Sequence, residues 1–328
     1  MKKRYQAIFI LLALLLLYLV LNKIGFEKII ENLKLLRGYY LLIALAMTFA
    51  MFAAWNYKWK ILVDKVSKIR FWELFPIMMA GLFIDSSTPT FNLGGEPLKA
   101  YYLGKKFKKG KAEYLASIII DKGMNTLTSL TLIVISLLIA ALFFKISLTA
   151  KVVIESIMVV MLAAVAGIFL YKKTKSTMIG LIQRVLKKKF KTKKHLEGYI
   201  EKNKDLIINY IKGFYKNKKT LTVSIIACLL MQALIFGKSY IFFIALGQSV
   251  NPLYIIIAVS IAMVVGQLVI IPGGIGVVES SMISLYALLG ISPEIAVIVT
   301  ILDRITYYIF SLGIGYLSLI YANYKYHA

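Results

Sequence analysis

The chain has 328 residues, 60% of them hydrophobic and 17% charged, with a mean hydropathy of +0.78; soluble domains carry about a quarter charged residues, so a water-soluble fold is excluded and an all-α polytopic membrane protein is indicated. The 40 Lys+Arg against 15 Asp+Glu leave a formal charge of +25, which in so apolar a chain points to anionic lipid surfaces and cytoplasmic loops and not to nucleic acid. One cysteine, Cys228, excludes an internal disulfide, two histidines, His195 and His327, supply no zinc cluster, and no glycine-rich phosphate loop is present to cradle ATP.

A bilayer core of roughly 30 Å needs about 20 apolar residues of helix. In chain order, six stretches meet that requirement: Tyr5 to Leu21, Gly38 to Val63, Leu115 to Phe144, Val152 to Tyr171, Leu221 to Leu246 and Pro293 to Ala322. The first is read as a retained anchor, because no small-residue cleavage site follows Leu21. After it, residues 22–37 alternate charged and apolar positions as an interfacial amphipathic helix does. Two further apolar stretches are broken: Phe71 to Leu103, at Asp85 to Pro89, and Tyr254 to Leu289, at Pro272 to Gly276. Their arms are too short to cross alone, so each is expected to enter and leave on one side as a re-entrant hairpin. Residues 172–219 are densely basic and read as a cytoplasmic segment on anionic headgroups.

Charge tests the arrangement. With both hairpins re-entrant, Lys2 to Arg4, Lys58 to Arg70, Lys99 to Lys111, Lys172 to Lys219 and Lys325 lie inside, and Lys23, Lys28, Lys34, Arg37, Lys145 and Lys151 outside, as the positive-inside rule requires. Both termini are then cytoplasmic. Only Lys122, Lys238 and Arg304 fall within spans, and Trp55, Trp59 and Trp72 are expected in the inner aromatic belt.

The broken stretches share a pattern. Pro89 is followed by Gly94-Gly95 and Glu96, and Pro272 by Gly273, Gly274, Gly276 and Glu279; each glutamate then precedes an acidic-basic dipeptide, Asp121-Lys122 or Asp303-Arg304, in the next long helix. We read a duplication, with repeat 1 at about 38–144 and repeat 2 at about 221–322, in opposite orientation within one integral-membrane domain. Inverted repeats with broken helices characterise alternating-access transporters, whose site lies near the midplane.

Charge near the bilayer centre costs at least about 2.5 to 3.5 kcal/mol on insertion scales, so these groups need partners or water. Lys122 and Arg304 suit a lipid phosphate, while Glu96 and Glu279 suit a cationic headgroup or a coupling proton. The alternative is that Asp121, Lys122, Asp303 and Arg304 only form ion pairs that hold the repeats together. Gly273, Gly274 and Gly276 either open backbone N–H groups to a headgroup or only make the turn. Asp85, Ser86, Ser87 and Thr88 read as caps. Lys238 has no evident repeat mate and is assigned to structural pairing.

The sequence Gly94-Gly95-Glu96-Pro97-Leu98-Lys99, the Asp121-Lys122 dipeptide and the element Pro272 to Glu279 resemble the transmembrane region of lysylphosphatidylglycerol synthases, or flippase-like domain, over nearly the whole chain. The resemblance implies a flippase-like fold whose members move lysyl-phosphatidylglycerol or other lipids between leaflets. It places Glu96, Asp121, Pro272, Gly273, Gly274, Gly276, Glu279, Asp303 and Arg304 on the family's polar motifs, and Lys99 only loosely. Bifunctional members continue into a soluble aminoacyl-transferring domain, whereas this sequence stops at Ala328, so synthase activity is not expected.

The expected function is thus lipid translocation, without catalysis, cofactor or metal, on an anionic or polyprenyl-phosphate lipid. Lipids are the expected partners, and self-association is left open. The competing expectations are a membrane-embedded transferase or its accessory subunit, and a scaffold whose ion pairs are structural.

Overall fold

The computed structural model describes residues 37–88, 94–108, 112–143, 204–269 and 271–327. The expected spans at Tyr5 to Leu21 and Val152 to Tyr171, the amphipathic stretch before Arg37, and most of the basic segment lie outside these residues. Every regular element among them is helical: α1 (Gly38–Val63), α2 (Phe71–Ser87), α3 (Glu96–Phe107), α4 (Ala112–Phe143), α5 (Lys204–Lys216), α6 (Lys218–Ala245), α7 (Pro252–Leu268), α8 (Val277–Leu288), α9 (Pro293–Tyr308) and α10 (Gly315–His327). A 3₁₀ turn at Pro272–Gly274 precedes α8, and a π-helical segment at Ile309–Ile314 joins α9 to α10.

Among the described residues, four helices are long and apolar enough to cross a membrane: Gly38–Val63, Ala112–Ile139, Lys218–Ala245 and the continuous Pro293–Tyr326. Their hydrophobicity is not confined to one stripe. On α1, for example, Ala44, Phe52 and Trp59 are buried while Leu42, Ile43 and Phe49 face outward, as expected where the solvent is hydrocarbon. The chain is an integral multi-pass membrane protein. The short arms differ: α2 and α7 have 17 residues and α3 and α8 have 12, or about 26 and 18 Å of helix. Helix starts are marked locally, by Asn217 accepting from Thr220 N, by Asn251 accepting from Leu253 N, and by proline in the first turn of α7 and α9.

The helices pack in a pattern that is unchanged when the halves are exchanged. In the first half α1 packs on α2 and α4, and α3 on α2 and α4; in the second, α6 packs on α7 and α9, and α8 on α7 and α9. Between halves, α1 packs along α6, α4 receives α7, and α2 receives the π segment and α10. The ends of the arms also meet their own starts. Lys106 at the end of α3 pairs with Glu73 at the start of α2 at 3.2 Å, and Tyr286 near the end of α8 stacks edge-on against Phe243, close to where α7 begins, with ring centroids 5.2 Å apart.

One end of the bundle is basic. Lys65, Lys68 and Arg70 follow α1, Lys105, Lys106 and Lys108 close α3, and Lys212, Lys216, Lys218 and Lys219 surround the α5–α6 joint, which the Tyr210 hydroxyl ties to the Leu62 carbonyl at the foot of α1. At the other end, the α6–α7 and α8–α9 joints carry no Lys or Arg.

Two expectations are corrected. Lys58 was assigned to a basic loop, but it lies inside α1 with its side chain fully buried. Trp55 and Trp59 were assigned to an aromatic belt, but Trp59 is in the core and Trp55 is turned to the polar interior; Trp72 alone of the three is exposed. An α1 that continues through Val63 carries these residues into the bundle before the chain leaves it.

Candidate functional site

Glu96, Lys99, Asp121, Glu279, Asp303 and Arg304 are buried, Lys122 is half-buried and Ser87 is exposed; the charged residues gather around the two breaks. In the first half, the break after α2 returns so closely that Gly95 lies against α2. A Cβ on Gly95 would sit 1.9 Å from the Gly81 carbonyl oxygen, so no larger residue fits without separating the arms. The Gly95 N–H donates to Asp85 Oδ1 at 2.8 Å, which makes Asp85 the cap that closes the turn. Glu96 opens α3, and its carboxylate meets Lys122 Nζ at 2.6 Å and Lys99 Nζ at 3.4 Å; Lys122 also lies 3.6 Å from Asp85. Lys99 stretches across the Cα of Gly81 and points between the rings of Trp55 and Trp59, 5.8 Å from each.

In the second half, Gly273, Gly274 and Gly276 have φ of +59°, +67° and +83°. This left-handed run is possible only because these residues lack a Cβ. Gly276 N donates to Glu279 Oε2 at 2.6 Å, while Glu279 Oε1 accepts from Arg304 Nε at 2.7 Å. The same guanidinium donates to the Gly273 carbonyl at 2.8 Å and to the Tyr308 hydroxyl at 2.6 Å. Arg304 therefore binds both sides of the turn that the glycines make.

The aspartates of the two dipeptides point elsewhere. Asp121 is held by Lys58 Nζ at 2.9 Å and by the Trp55 indole at 2.8 Å; Lys58 also donates to the Asp121 main-chain carbonyl and to Asn125. Asp303 is held by Lys238 Nζ at 3.1 Å and by Ser239 at 2.8 Å, and Lys238 likewise donates to the Asp303 main-chain carbonyl, at 3.0 Å. Lys58 is thus the counterpart of Lys238, 63 residues before its aspartate where Lys238 is 65 before its own. Sequence reasoning missed this mate because Lys58 sits beside Lys60, Lys65, Lys68 and Arg70 and was counted with them. The available signal was the near-equal spacing.

The ion pairs do not bridge the repeats, as the structural alternative expected. Lys58–Asp121, Lys122–Glu96, Lys238–Asp303 and Arg304–Glu279 each join helices of one half. The halves meet instead at their breaks: a Cβ on Gly273 would lie 3.3 Å from the Ser86 carbonyl oxygen. Five cations, Lys58, Lys99, Lys122, Lys238 and Arg304, stand against five carboxylates, Asp85, Glu96, Asp121, Glu279 and Asp303. Among the described residues these buried charges balance, which lowers the cost of holding them in a bilayer.

With the site assembled, its kin can be stated. The family of the lysylphosphatidylglycerol synthase TM region matches residues 6–315. The chain belongs to that family. Relatives of the synthase TM-region family run alongside this chain for almost their full length. They include a UPF0104 membrane protein of Methanothermobacter thermautotrophicus, 26% identical over 92% of this chain and 91% of the relative, and one of Methanocaldococcus jannaschii, 25% identical over 96% and 94%. A third, from Pyrococcus horikoshii, is 23% identical over 92% of each.

Proposed function

We propose that this member of the synthase TM-region family is a lipid translocase, moving a phosphate-bearing lipid between leaflets while its tails stay in the bilayer. The observation that carries the reading is the meeting of two helix breaks inside the bundle, each backed by an acid–base pair from the next long helix. Non-helical backbone is tolerated at membrane depth where it is enclosed by protein or lines a wet cavity, and discontinuous helices at a repeat interface are the usual seat of a transported ligand.

The exchange pattern of helix contacts and the shared lysine, glutamate, aspartate and basic positions support two repeats. Their opposite orientation is supported by α1 ending, and α6 starting, at the basic end. The Glu73–Lys106 and Phe243–Tyr286 contacts support hairpins that enter and leave on one side. The basic end is then cytoplasmic by the positive-inside rule, as is the C-terminus, since Tyr102 on α3 donates to Asn323 near the end of α10 at 2.6 Å.

The test is transbilayer movement of fluorescent phospholipids in proteoliposomes holding the folded protein. Movement that is headgroup-selective and lost in Glu279→Gln supports translocation. Absence of movement for every lipid, with and without a proton gradient, overturns it.

A further inference from the structure

The last membrane-crossing helix does not keep one set of neighbours along its length. Up to Tyr308 it is bound to the second half: Asp303 pairs with Lys238 of α6 at 3.1 Å, and Arg304 with Glu279 of α8 at 2.7 Å. Beyond Ile314 it lies on the first half. A Cβ on Gly315 would sit 2.9 Å from Phe83 Cβ and 3.0 Å from the Met79 carbonyl oxygen, and the Tyr316 and Phe83 rings are 5.4 Å apart. Further on, Tyr102 of α3 donates to Asn323 at 2.6 Å and packs against Tyr326, with ring centroids 5.8 Å apart. The sequence counts α10 with repeat 2, yet it packs along α2 and α3.

Ion pairs bind the first half into one body. Lys58–Asp121 joins α1 to α4, Lys122 joins α4 to α2 and α3 through Asp85 and Glu96, and Lys106–Glu73 joins α3 to α2. Where α4 meets α6, in contrast, the polar contacts are neutral: Gln232 donates to Ser129 at 2.8 Å and Cys228 to Asn125 at 3.6 Å. Relative movement of the halves thus breaks none of these ion pairs, but it must deform the one helix that is fixed to both. That helix changes neighbours at its π-helical segment. The Ile309 N–H still bonds the Ile305 carbonyl, four residues back, whereas the Gly315 N–H reaches the Phe310 carbonyl, five back. Inside a bilayer a hinge cannot be a loop, since unpaired backbone groups are costly there. A π turn avoids that cost: an N–H exchanges an acceptor five residues back for one four back, so the helix bends with its backbone still paired. Gly313 within the segment is exposed and adds no side chain to stiffen it.

We infer that Ile309–Ile314 is the hinge between two moving bodies, one formed by the second half as far as Tyr308, the other by the first half together with α10. The inference rests on the translocation reading for what the motion serves, but the motion can be judged apart from it.

The experiment uses the full chain carrying Cys228→Ser and compares this parent with Gly313→Ala, a deletion of Gly313, and Gly213→Ala, each shown to be folded by size-exclusion chromatography. The deletion removes the extra residue of the π turn, and Gly313→Ala stiffens the segment without a clash, because a Cβ there meets nothing within 4 Å. Gly213 of α5 is equally open, so its substitution controls for stiffening elsewhere. The first readout is the distance between paired spin labels, measured by electron paramagnetic resonance in lipid vesicles. Labels at Lys105→Cys and Leu288→Cys sit on different bodies, and labels at Lys105→Cys and Tyr324→Cys on one; all three positions are exposed. The parent should show two distances for the first pair and one for the second. The deletion leaves the first pair with one distance, Gly313→Ala shifts its populations about two- to fivefold toward that distance, and Gly213→Ala changes nothing. A single distance for the first pair in the parent, two distances that ignore the Gly313 variants, or two distances for the second pair overturns the inference. If the deletion does not fold, Gly313→Ala decides by the same criteria. The second readout is transbilayer movement of a fluorescent phospholipid, which Gly313→Ala should slow about two- to fivefold and the deletion should stop. Movement at the parental rate in a deletion variant with one distance overturns the hinge. Two distances that respond to Gly313, with no lipid crossing in the parent, leave the hinge standing and remove only the translocation reading.

Discussion

The first break is held by lysines and the second by an arginine, and the difference governs how each can open. An ammonium is a compact charge on a flexible stem that can exchange one oxygen for another, whereas a guanidinium fixed through several donors must release them in concert. Lys122 reaches two carboxylates, whereas Arg304 grips a carboxylate, a main-chain carbonyl and a phenol. Corresponding positions in the two halves therefore hold a lysine paired with carboxylates in one and an arginine with a divided grip in the other.

The strongest challenge to this comparison comes from the lysines that the halves share. Lys58→Met or Lys238→Met leaves a buried aspartate without its counter-ion, and each is expected to cost about 3 to 5 kcal/mol. Thermal unfolding in detergent should show losses of similar size for the two. A large loss for one alone would mean that the halves are not built alike.

Next in size is Arg304→Lys, which gives up the divided grip on Glu279 and Gly273 and should cost about 1.5 to 3 kcal/mol, whereas Lys122→Arg should change stability by much less. Equal losses in the same unfolding assay would remove the contrast between the two breaks.

Gly95→Ala and Gly273→Ala sharpen the comparison in another way. The first forces a methyl group against the Gly81 backbone, an overpacking cost of about 1 to 3 kcal/mol, and the second places a Cβ in a left-handed conformation, at about 1 to 2 kcal/mol. Relieving the first requires moving Gly81 and its α2 backbone, so its loss in the unfolding assay should be at least as large as that of Gly273→Ala. The smallest effect is expected for Tyr308→Phe, which removes the hydroxyl that accepts from Arg304 and donates to Glu279 Oε1 at 3.1 Å, and should lower stability by about 1 kcal/mol.

Much of this was legible in the sequence because the bilayer imposes length. The spans at Gly38 to Val63 and Leu221 to Leu246 lie within a few residues of α1 and α6, and the break at Pro272 falls at the 3₁₀ turn, whereas α2 runs on through Ser87, past the start of the break expected at Asp85. The glutamates and dipeptides were legible because an ionised group in an apolar run is conspicuous. Lys58 was not, since nothing in a basic run near a helix end says which member turns inward. The partners of Asp121 and Asp303 were hidden for a related reason. Pairing between helices depends on rotation about the helix axis, which hydropathy does not encode. Re-entrance and orientation rest on the positive-inside rule, and the spans at Tyr5 to Leu21 and Val152 to Tyr171 fall outside the described residues.

The π-helical segment at Ile309–Ile314 gives the last helix two facings. Each residue inserted into an α-helix turns everything beyond it by about 100°, so the helix that carries Arg304 toward the second break is re-phased within two turns. Gly315 then comes so close to the first break's helix that an added Cβ would lie 3.0 Å from the Met79 carbonyl oxygen. A single rod thereby presents one face to the second break and, beyond the π segment, another to the body of α2.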